Sequence, residues 1–341
     1  MTQTITIGKR LVGPQEPVFI IAEIGMNHNG DLELAKRMVR AAAKCGADAV
    51  KFQTFKTELL YARDFPDFEQ RRKMELPYEW HHPLMSLSND AGMEFISTPF
   101  DLDSAAFLDE LGVPCFKVAS CDLNNYPFLR RLAKKGKPLL VSTGFSTLAE
   151  IDQAVATVRQ TGNDELVLLH CVASYPAPAA DCNLRAIQTL RQAFGTVVGL
   201  SDHTADPSVA PIAATALGAC VLEKHFTVDC ELPGYDHLMS QDPAGMRLLV
   251  EQVRSATAAL GSGLKSPTAT ERDRVRGARR SLYWKQSYAA GTCVDDDMLV
   301  TLRPAAGLAP EALDTIRGRR LSGPVEAGAL LDIRQIDWNK A

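Results

Sequence analysis

Short runs of consecutive apolar residues recur along the chain as far as His225. They lie at Val18–Ile24, Ala47–Phe52, Met93–Ser97, Cys115–Ala119, Pro138–Ser142, Leu166–Cys171, Val197–Ser201 and Ala219–His225. A continuous apolar run is typical of a parallel strand buried on both faces, whereas a half-exposed strand alternates apolar and polar residues. The pattern therefore predicts a series of buried parallel strands.

Segments with helical periodicity and charged outer faces separate these runs. They lie at Leu32–Cys45, Ser104–Leu111, Tyr126–Lys135, Thr147–Gln160, Leu184–Phe194 and Pro207–Leu217. Several are followed by a glycine, such as Gly46 and Gly112, which is a common stop signal for a helix. Strands alternating with helices in this way predict an α/β fold, a (β/α)8 TIM barrel. A doubly wound open sheet competes, but it commonly has fewer strands and often a glycine-rich first turn, which is missing here.

The rest of the chain divides by composition. We predict a TIM-barrel catalytic domain at residues 1–263, a polar, arginine-rich linker at 264–280 and a small, mostly β domain at 281–341. A β domain of this size is only marginally stable alone, so we expect it to dock on another surface. Within the barrel, the long interval 56–89 after the second strand predicts either a functional lid or a surface excursion.

Charge and cysteine usage exclude several classes of function. Lys and Arg number 37 against 41 Asp and Glu, and no basic block suggests a nucleic-acid partner. No apolar run is long enough to span a membrane, and the first residues lack a secretory signal. The eight cysteines are scattered without CxxC pairs, which predicts reduced thiols and a cytoplasmic protein.

Polar side chains stand at the end of every predicted strand, where TIM barrels carry their active sites. They include Glu23, Lys51, Gln53, Thr98, Lys117, Ser120, Asp122, Ser142, Tyr175, Ser201, His203, Glu223 and His225. Two lysines, several hydroxyls and the backbone amides after Gly144 would suit a phosphate. Ion pairing of a buried lysine with Glu23 is the alternative explanation.

His203 and His225 end adjacent predicted strands, so both imidazoles could bind one divalent cation. Glu23 and Asp236 could then orient metal-bound water. Two hydrogen-bonded core histidines are the alternative. We expect His81 and His82 to be exposed on a polar helix, and we expect the cysteines to be core fillers without a base beside them.

The strand-end residues belong to longer motifs. These are Ala22-Glu23-Ile24-Gly25-Met26-Asn27-His28-Asn29-Gly30, Lys51-Phe52-Gln53, Ser97-Thr98-Pro99-Phe100, Phe116-Lys117-Val118-Ala119-Ser120, Ser142-Thr143-Gly144, Gly199-Leu200-Ser201-Asp202-His203-Thr204 and Leu222-Glu223-Lys224-His225-Phe226-Thr227. In this order they closely resemble the sialic acid synthase family. Leu302-Arg303-Pro304, with Gly307 following, resembles the antifreeze-like (SAF) domain of that family.

The resemblance implies a metal-dependent condensation of phosphoenolpyruvate with an N-acylated amino sugar, N-acetylmannosamine or a related one. The products would be a nonulosonic acid and phosphate, and the metal would be Mn²⁺ or Mg²⁺. The implied roles are metal ligation by His203 and His225, phosphoenolpyruvate binding by Thr98, Lys117, Ser120, Ser142 and Ser201, and sugar or water contacts by Glu23, Lys51, Gln53, Asp122, Tyr175 and Asp236. In a domain-swapped homodimer, Arg303 would reach the partner's active site.

Three departures from the family pattern concern the sugar side. Ala173 stands where many members of the family have a polar residue, Asp122 stands where a glutamate is common, and Tyr235 stands at the position of a usual proline. The resemblance therefore does not define which sugar is the substrate. A legionaminic- or pseudaminic-type acid or a spore-coat precursor is an alternative product. Other barrel condensations, such as a 3-deoxy-octulosonate-type synthase or a metal aldolase, and a non-catalytic sugar-binding barrel are the competing functions.

Overall fold

The apolar runs form one parallel sheet in the computed structural model, which describes residues 4–339. The chain divides into two units, Met1–Gly261 and Ser262–Ala341. The strands of the first unit are β1 (Ile5–Ile7), β2 (Arg10–Val12), β3 (Phe19–Gly25), β4 (Ala49–Thr54), β5 (Glu94–Pro99), β6 (Phe116–Val118), β7 (Leu139–Ser142), β8 (Leu166–Cys171), β9 (Val197–Asp202) and β10 (Val221–His225).

Strands β3 to β10 build the predicted barrel. Their hydrogen-bonded order is β5-β4-β3-β10-β9-β8-β7-β6, and every pair in it is parallel. Neighbours are consecutive along the chain except β3 and β10, which pair the first barrel strand with the last. β5 and β6, at the two ends of this order, also lie side by side. A doubly wound sheet has a different order, so the TIM-barrel prediction is confirmed.

Helices surround the sheet and cover its outer face. They are α1 (Leu32–Cys45), α2 (Thr57–Leu60), α3 (Phe68–Arg72), α4 (Tyr78–Asp90), α5 (Leu102–Leu111), α6 (Tyr126–Ala133), α7 (Leu148–Arg159), α8 (Ala186–Phe194), α9 (Val209–Ala216) and α10 (Pro243–Leu260). Helix α1 begins where the Asp31 side chain accepts hydrogen bonds from two backbone amides and ends at Gly46, which has a φ of 84°. Its buried face, with Met38 and Val39, packs into the layer between helices and strands.

The long interval after the second barrel strand contains α2, α3 and α4. One of these, α4, is a regular barrel helix that packs on α1 and β5. The expectation that His81 is exposed was wrong, because this residue of α4 faces inward. Its ring lies 4.9 Å from Phe107 and its Nε2 is 2.8 Å from Thr54 Oγ1. His82 is exposed, as predicted.

A hairpin of β1 and β2 precedes the barrel, and the sequence pattern did not indicate it. Ile5, Ile7 and Val12 are buried in the same cluster as Phe19 and the other inward-facing residues at the amino-terminal end of the strands. The hairpin therefore packs against the barrel interior at the end opposite the polar strand ends. Its strands of three residues each are too short to show a periodicity.

The second unit has its own core and antiparallel strands. Its elements are α11 (Ala269–Ala278), β11 (Ser281–Trp284), β12 (Leu299–Leu302), α12 (Leu313–Ile316), β13 (Arg320–Leu321) and β14 (Ile336–Asp337). β11 pairs with β12 and β13 with β14, around buried residues that include Trp284 and Leu331. Residues 264–280, predicted as a linker, contain α11, which begins with a capping box of Thr268 and Glu271.

Two further sequence predictions concern membranes and thiols. Across residues 4–339, no helix combines the length and the apolar character that crossing a bilayer requires. All eight cysteines are unpaired, as their spacing predicted. The cytoplasmic location inferred from those thiols stays a prediction.

Candidate active site

A cavity of about 240 Å³ opens among the carboxyl ends of the barrel strands. All but two of the predicted site residues line this strand-end cavity, namely Glu23, Lys51, Gln53, Thr98, Lys117, Ser120, Ser142, Tyr175, Ser201, His203, His225 and Asp236. They are far apart along the chain and meet because parallel strands bring their carboxyl ends to one edge. The structure therefore gathers the predicted side chains in one place.

Buried charges of both signs lie at the base of the cavity. Lys51 Nζ is 2.8 Å from Glu23 Oε2, and Glu223 Oε1 is 3.8 Å from Lys51 Nζ and 3.7 Å from Lys117 Nζ. None of these side chains is more than 5% exposed. A buried charge needs a partner to offset its lost hydration, and here each lysine has a carboxylate within reach. The ion pair with Glu23 is present, and Lys51 lines the cavity as well.

The surroundings shift the pKa values of these groups in opposite directions. Burial lowers the pKa of Lys117, and the nearby Lys51 ammonium adds to that effect against the attraction of Glu223. For Lys51, burial is outweighed by the carboxylates of Glu223 and Glu23, which raise its pKa. The two lysines also hold the pKa of Glu223 below its usual range despite its burial. Glu223 is therefore ionised at neutral pH.

Hydroxyl groups surround the lysines. Lys117 Nζ donates to Ser142 Oγ at 2.7 Å, and Lys51 Nζ donates to Thr98 Oγ1 at 3.1 Å. Ser120 Oγ accepts a hydrogen bond of 3.0 Å from the backbone amide of Gly144. Ammonium groups, together with hydroxyl groups that can donate short hydrogen bonds, are a suitable environment for phosphate or carboxylate oxygens.

The two histidines face each other across the cavity, with ring centroids 5.4 Å apart. His203 Nδ1 lies 2.8 Å from the Val172 carbonyl oxygen, which can only accept, so Nδ1 carries a hydrogen. Burial lowers the pKa of His203, but the Cys171 sulfur and the Val172 carbonyl outweigh it and raise this pKa, so Nε2 has a free lone pair only in the neutral form of the ring. Burial lowers the pKa of His225 to about 4, so its ring is neutral at pH 7. Neutral imidazole is the form that ligates metals.

A divalent cation fits this pair of residues. His225 Nδ1 is buried with no hydrogen-bond partner among the described residues, and it lies 3.7 Å from Asp236 Oδ2. A cation would satisfy such an orphaned nitrogen, and the carboxylate could orient a metal ligand. Within residues 4–339, no cluster of three or more His, Cys, Asp or Glu side chains is arranged to hold a metal ion. The fit of a cation here therefore rests on the two imidazoles.

Two predicted site residues do not line the cavity. Asp122 lies in a short 3₁₀ turn after β6, where its Oδ1 accepts a hydrogen bond of 3.3 Å from Asn125 Nδ2. Arg303 belongs to the second unit and is exposed. The roles that the resemblance implies for both residues stay predictions.

Other residues also line the cavity. Glu223, two residues before His225 on β10, was predicted to face inward with it, as strand alternation indicates, but was given no role. Cys171 was expected to be a core filler without a base beside it, but its Sγ lies 3.8 Å from His203 Nδ1 and 3.6 Å from Ser120 Oγ. Cys171 ends β8 and His203 follows β9, so no local sequence motif indicates this contact. Phe145, exposed beside the cavity, was also missed.

Family models match both units of the chain. The model of the NeuB family covers residues 38–265, and that of the SAF domain covers residues 279–334. The chain belongs to the NeuB family. The resemblance to sialic acid synthases and the predicted SAF domain are thereby confirmed.

Individual proteins are similar to this chain over most of its length. N,N'-diacetyllegionaminic acid synthase of Legionella pneumophila is 44% identical, over 94% of this chain and 94% of that protein. N-acetylneuraminate-9-phosphate synthase of Homo sapiens is 36% identical, over 93% and 92% respectively. The crystal structure of N-acetylneuraminic acid synthetase from Leptospira borgpetersenii has a TM-score of 0.77 and 37% identity, covering 81% of this chain and 96% of that one.

Proposed function

We propose that this chain is a metal-dependent synthase that condenses phosphoenolpyruvate with an N-acylated amino sugar, giving a nonulosonic acid and phosphate. The observation that carries the proposal is the presence, in one strand-end cavity, of two buried lysines and two facing histidines. The names of its relatives, N,N'-diacetyllegionaminic acid synthase and N-acetylneuraminate-9-phosphate synthase, support this class of product.

The proposed reaction joins the methylene carbon of phosphoenolpyruvate to the aldehyde carbon of the open-chain sugar. The aldehyde oxygen gains a proton, and water adds to the cationic carbon that carries the phosphate ester. The carbon–oxygen bond to phosphate then breaks, which leaves a keto group and releases phosphate. The added water thus loses both protons, one to the new hydroxyl group and one to the departing phosphate.

The lysines and hydroxyls would bind phosphoenolpyruvate. Lys117 and Lys51 would stabilise the negative charge of the departing phosphate, because preformed charge in a buried site needs no reorganisation during the reaction. Thr98 and Ser142, which now accept hydrogen bonds from the lysines, would orient the ammonium groups. Ser120 and Ser201, which line the same cavity, would contribute further hydroxyl donors.

The sugar side would be formed by Glu23, Gln53, Tyr175 and Asp236. Burial raises the pKa of Glu23, with Lys51 opposing, which brings this carboxyl nearer to the range of a general base for the added water. Gln53 Nε2 donates to Glu23 Oε1 at 3.2 Å and fixes its position. The Tyr175 ring lies 4.2 Å from that of His203 and is partly exposed, so its hydroxyl could meet an incoming sugar.

His203 and His225 would hold the divalent cation, for which Mn²⁺ and Mg²⁺ are the candidates. When bound, such a cation would supply Lewis-acid polarisation of the sugar aldehyde. Asp236, beside His225, would keep that ring oriented.

The direct test is phosphate release. We expect the purified protein with Mn²⁺ to liberate inorganic phosphate from phosphoenolpyruvate only when an N-acylated amino sugar is added, and mass spectrometry should then detect the sugar extended by three carbons. Reactions without sugar and reactions with the metal chelated are the controls, and neither should release phosphate. If a broad panel of N-acylated hexosamines, free and phosphorylated, gives no phosphate from metal-loaded protein, the proposed function is wrong.

We further propose that the active form is a domain-swapped homodimer in which Arg303 serves the partner's barrel. Arg303 is exposed and has no hydrogen-bond or ion-pair partner within residues 4–339. Its guanidinium is therefore available to hydrogen-bond a planar acceptor such as an N-acyl carbonyl.

Subunit complementation tests this arrangement. Arg303→Ala and Lys117→Ala chains should each be nearly inactive, but unfolding and refolding them together should restore about a quarter of the wild-type rate. Half of the random dimers would be mixed, and each of these would contain one intact site. Each variant refolded alone is the control. No gain on mixing, with dimers present, would show that Arg303 does not act across subunits.

A further inference from the structure

Each of the two candidate metal ligands is preceded by a buried charged residue. Asp202 comes directly before His203, and Lys224 comes directly before His225. Strands β9 and β10 place Asp202 and Lys224 side by side, and Lys224 Nζ donates to Asp202 Oδ2 at 2.6 Å. Both side chains are at most 3% exposed, and neither lines the strand-end cavity. Because side chains alternate along a strand, this ion pair lies on the face of the sheet away from the cavity.

Lys224 has more acceptors than an ion pair requires. Its ammonium also donates to the carbonyl oxygens of Thr204 and Asp206, the latter at 3.3 Å, and to Thr204 Oγ1 at 3.2 Å. Three of its four acceptors therefore belong to segment 204–206, which directly follows His203. A buried ammonium needs such acceptors to replace its lost hydration. Lys224 thus holds the chain that follows one histidine against the strand that carries the other.

Asp202 holds the backbone on both sides of His203. Its Oδ1 accepts a hydrogen bond of 2.9 Å from the Thr204 backbone amide, so the carboxylate closes a turn that contains the histidine. Its other oxygen, Oδ2, accepts from Lys224. The conformation of the backbone at His203 is therefore linked through one carboxylate to the ammonium of Lys224.

Gln241 makes a second link of the same kind. Its Nε2 donates to the Ala205 carbonyl oxygen at 2.8 Å, and its backbone amide donates to the His225 carbonyl oxygen at 2.8 Å. The residue is buried and does not line the strand-end cavity. Segment 204–206 is therefore held at two points, by the residue directly before His225 and by a residue bonded to the His225 backbone.

The spacing of the two imidazoles depends on how their backbones are held. His225 Nδ1 has no hydrogen-bond partner within residues 4–339, whereas His203 Nδ1 is bonded to the Val172 carbonyl oxygen. The ring centroids are 5.4 Å apart. A metal site tolerates only about 0.2 Å of variation in its ligand distances. Small shifts of segment 204–206 relative to β10 would therefore weaken the binding of a cation by both rings.

We propose that Lys224 and Gln241 are positioning residues that hold segment 204–206 against β10 and thereby set the spacing of His203 and His225 for a divalent cation. The inference rests on the proposed function, since the cation belongs to that proposal. A purely structural role for these residues predicts a loss of stability alone. A positioning role predicts a loss of metal affinity that other losses of stability do not produce.

Titration calorimetry with Mn²⁺ alone tests the positioning role without catalysis. Gln241→Met removes the amide donor without a change of charge, and Lys224→Met removes the ammonium. We expect each variant to bind Mn²⁺ about ten- to a hundredfold more weakly, the usual effect of losing a group that orients metal ligands. If Lys224→Met does not fold, Lys224→Met/Asp202→Asn removes both buried charges and should show the same loss of affinity.

Two polar links at the amino-terminal end of the strands provide the matched controls. Asn163 Nδ2 donates to the carbonyl oxygens of Ala133 and Lys137 at 3.2 and 2.9 Å, and Arg254 pairs with the buried Asp48 at 2.5 Å. Asn163→Leu removes a buried amide, as Gln241→Met does, and Arg254→Met removes one partner of an ion pair, as Lys224→Met does. Both controls should lower the free energy of unfolding in urea but bind Mn²⁺ with wild-type affinity.

The outcomes separate failure of this inference from failure of the proposed function. Wild-type Mn²⁺ affinity in either Gln241→Met or Lys224→Met, or an equal loss in the controls, would overturn the positioning role while sugar-dependent phosphate release still supported a synthase. Absence of phosphate release would overturn the proposed function, and the Mn²⁺ titrations would still decide the positioning role. Absence of Mn²⁺ binding by the wild-type protein would overturn the cation site and the positioning role together.

Discussion

Replacing Lys117 with methionine is expected to lower kcat/KM for phosphoenolpyruvate by about a thousandfold. Its ammonium is buried, 2.7 Å from Ser142 Oγ and 3.7 Å from Glu223 Oε1, so its loss removes half of the positive charge that the lysines bring to the cavity. Loss of a single preorganised donor to a developing negative charge costs about 10² to 10³ in rate, and here a full charge is lost with it. Steady-state phosphate release at varied phosphoenolpyruvate would measure the effect.

Stability must be separated from catalysis in this experiment, because Lys117→Met leaves the carboxylate of Glu223 with Lys51 as its nearest cation. With one of its two lysine partners lost, the buried carboxylate should destabilise the fold by about 3 kcal/mol, the typical cost of removing one partner of a buried ion pair. The double variant Lys117→Met/Glu223→Gln removes both charges, so it should regain stability in urea unfolding but not activity. Recovery of activity in the double variant would contradict a direct role for Lys117 at the phosphate.

The barrel could be predicted because its strands are buried on both faces, which leaves continuous apolar runs in the sequence. The elements that escaped prediction are short or are held mainly by contacts with the rest of the fold. The hairpin of β1 and β2 gains its burial from the barrel interior. The helix that carries His81 was expected, but the burial of its inner face was not, because α4 lies in a polar stretch. In α4 only the inward face is apolar, and His81 is buried because Phe95 and Phe107 pack around it. Such packing is set by partners that are distant in sequence.

The candidate site was predictable to the extent that strand alternation and strand ends define it. On β10, Glu223 and His225 face the cavity, while Lys224 between them points outward and pairs with Asp202 at 2.6 Å. That alternation follows from strand geometry. That Asp122 does not line the cavity could not be predicted in this way, because it lies in a turn of 3₁₀ helix after β6 rather than on the strand. The contact between Cys171 and His203 depends on the register of β8 against β9.

Removing either imidazole of the histidine pair is expected to abolish metal binding and the metal-dependent rate together. Changes in groups that merely orient a metal ligand cost about ten- to a hundredfold in affinity, so loss of one of only two protein ligands should exceed a hundredfold. Titration calorimetry with Mn²⁺ alone should therefore detect a site in the wild-type protein but none in His203→Ala or His225→Ala. His82→Ala, which removes an exposed histidine of α4, is the matched control and should bind Mn²⁺ normally. Asp236→Asn should lie between these cases, because Asp236 faces His225 at 3.7 Å without being a member of the pair. Mn²⁺ binding that survives in both histidine variants would place the cation elsewhere and would remove the Lewis acid from the proposed mechanism.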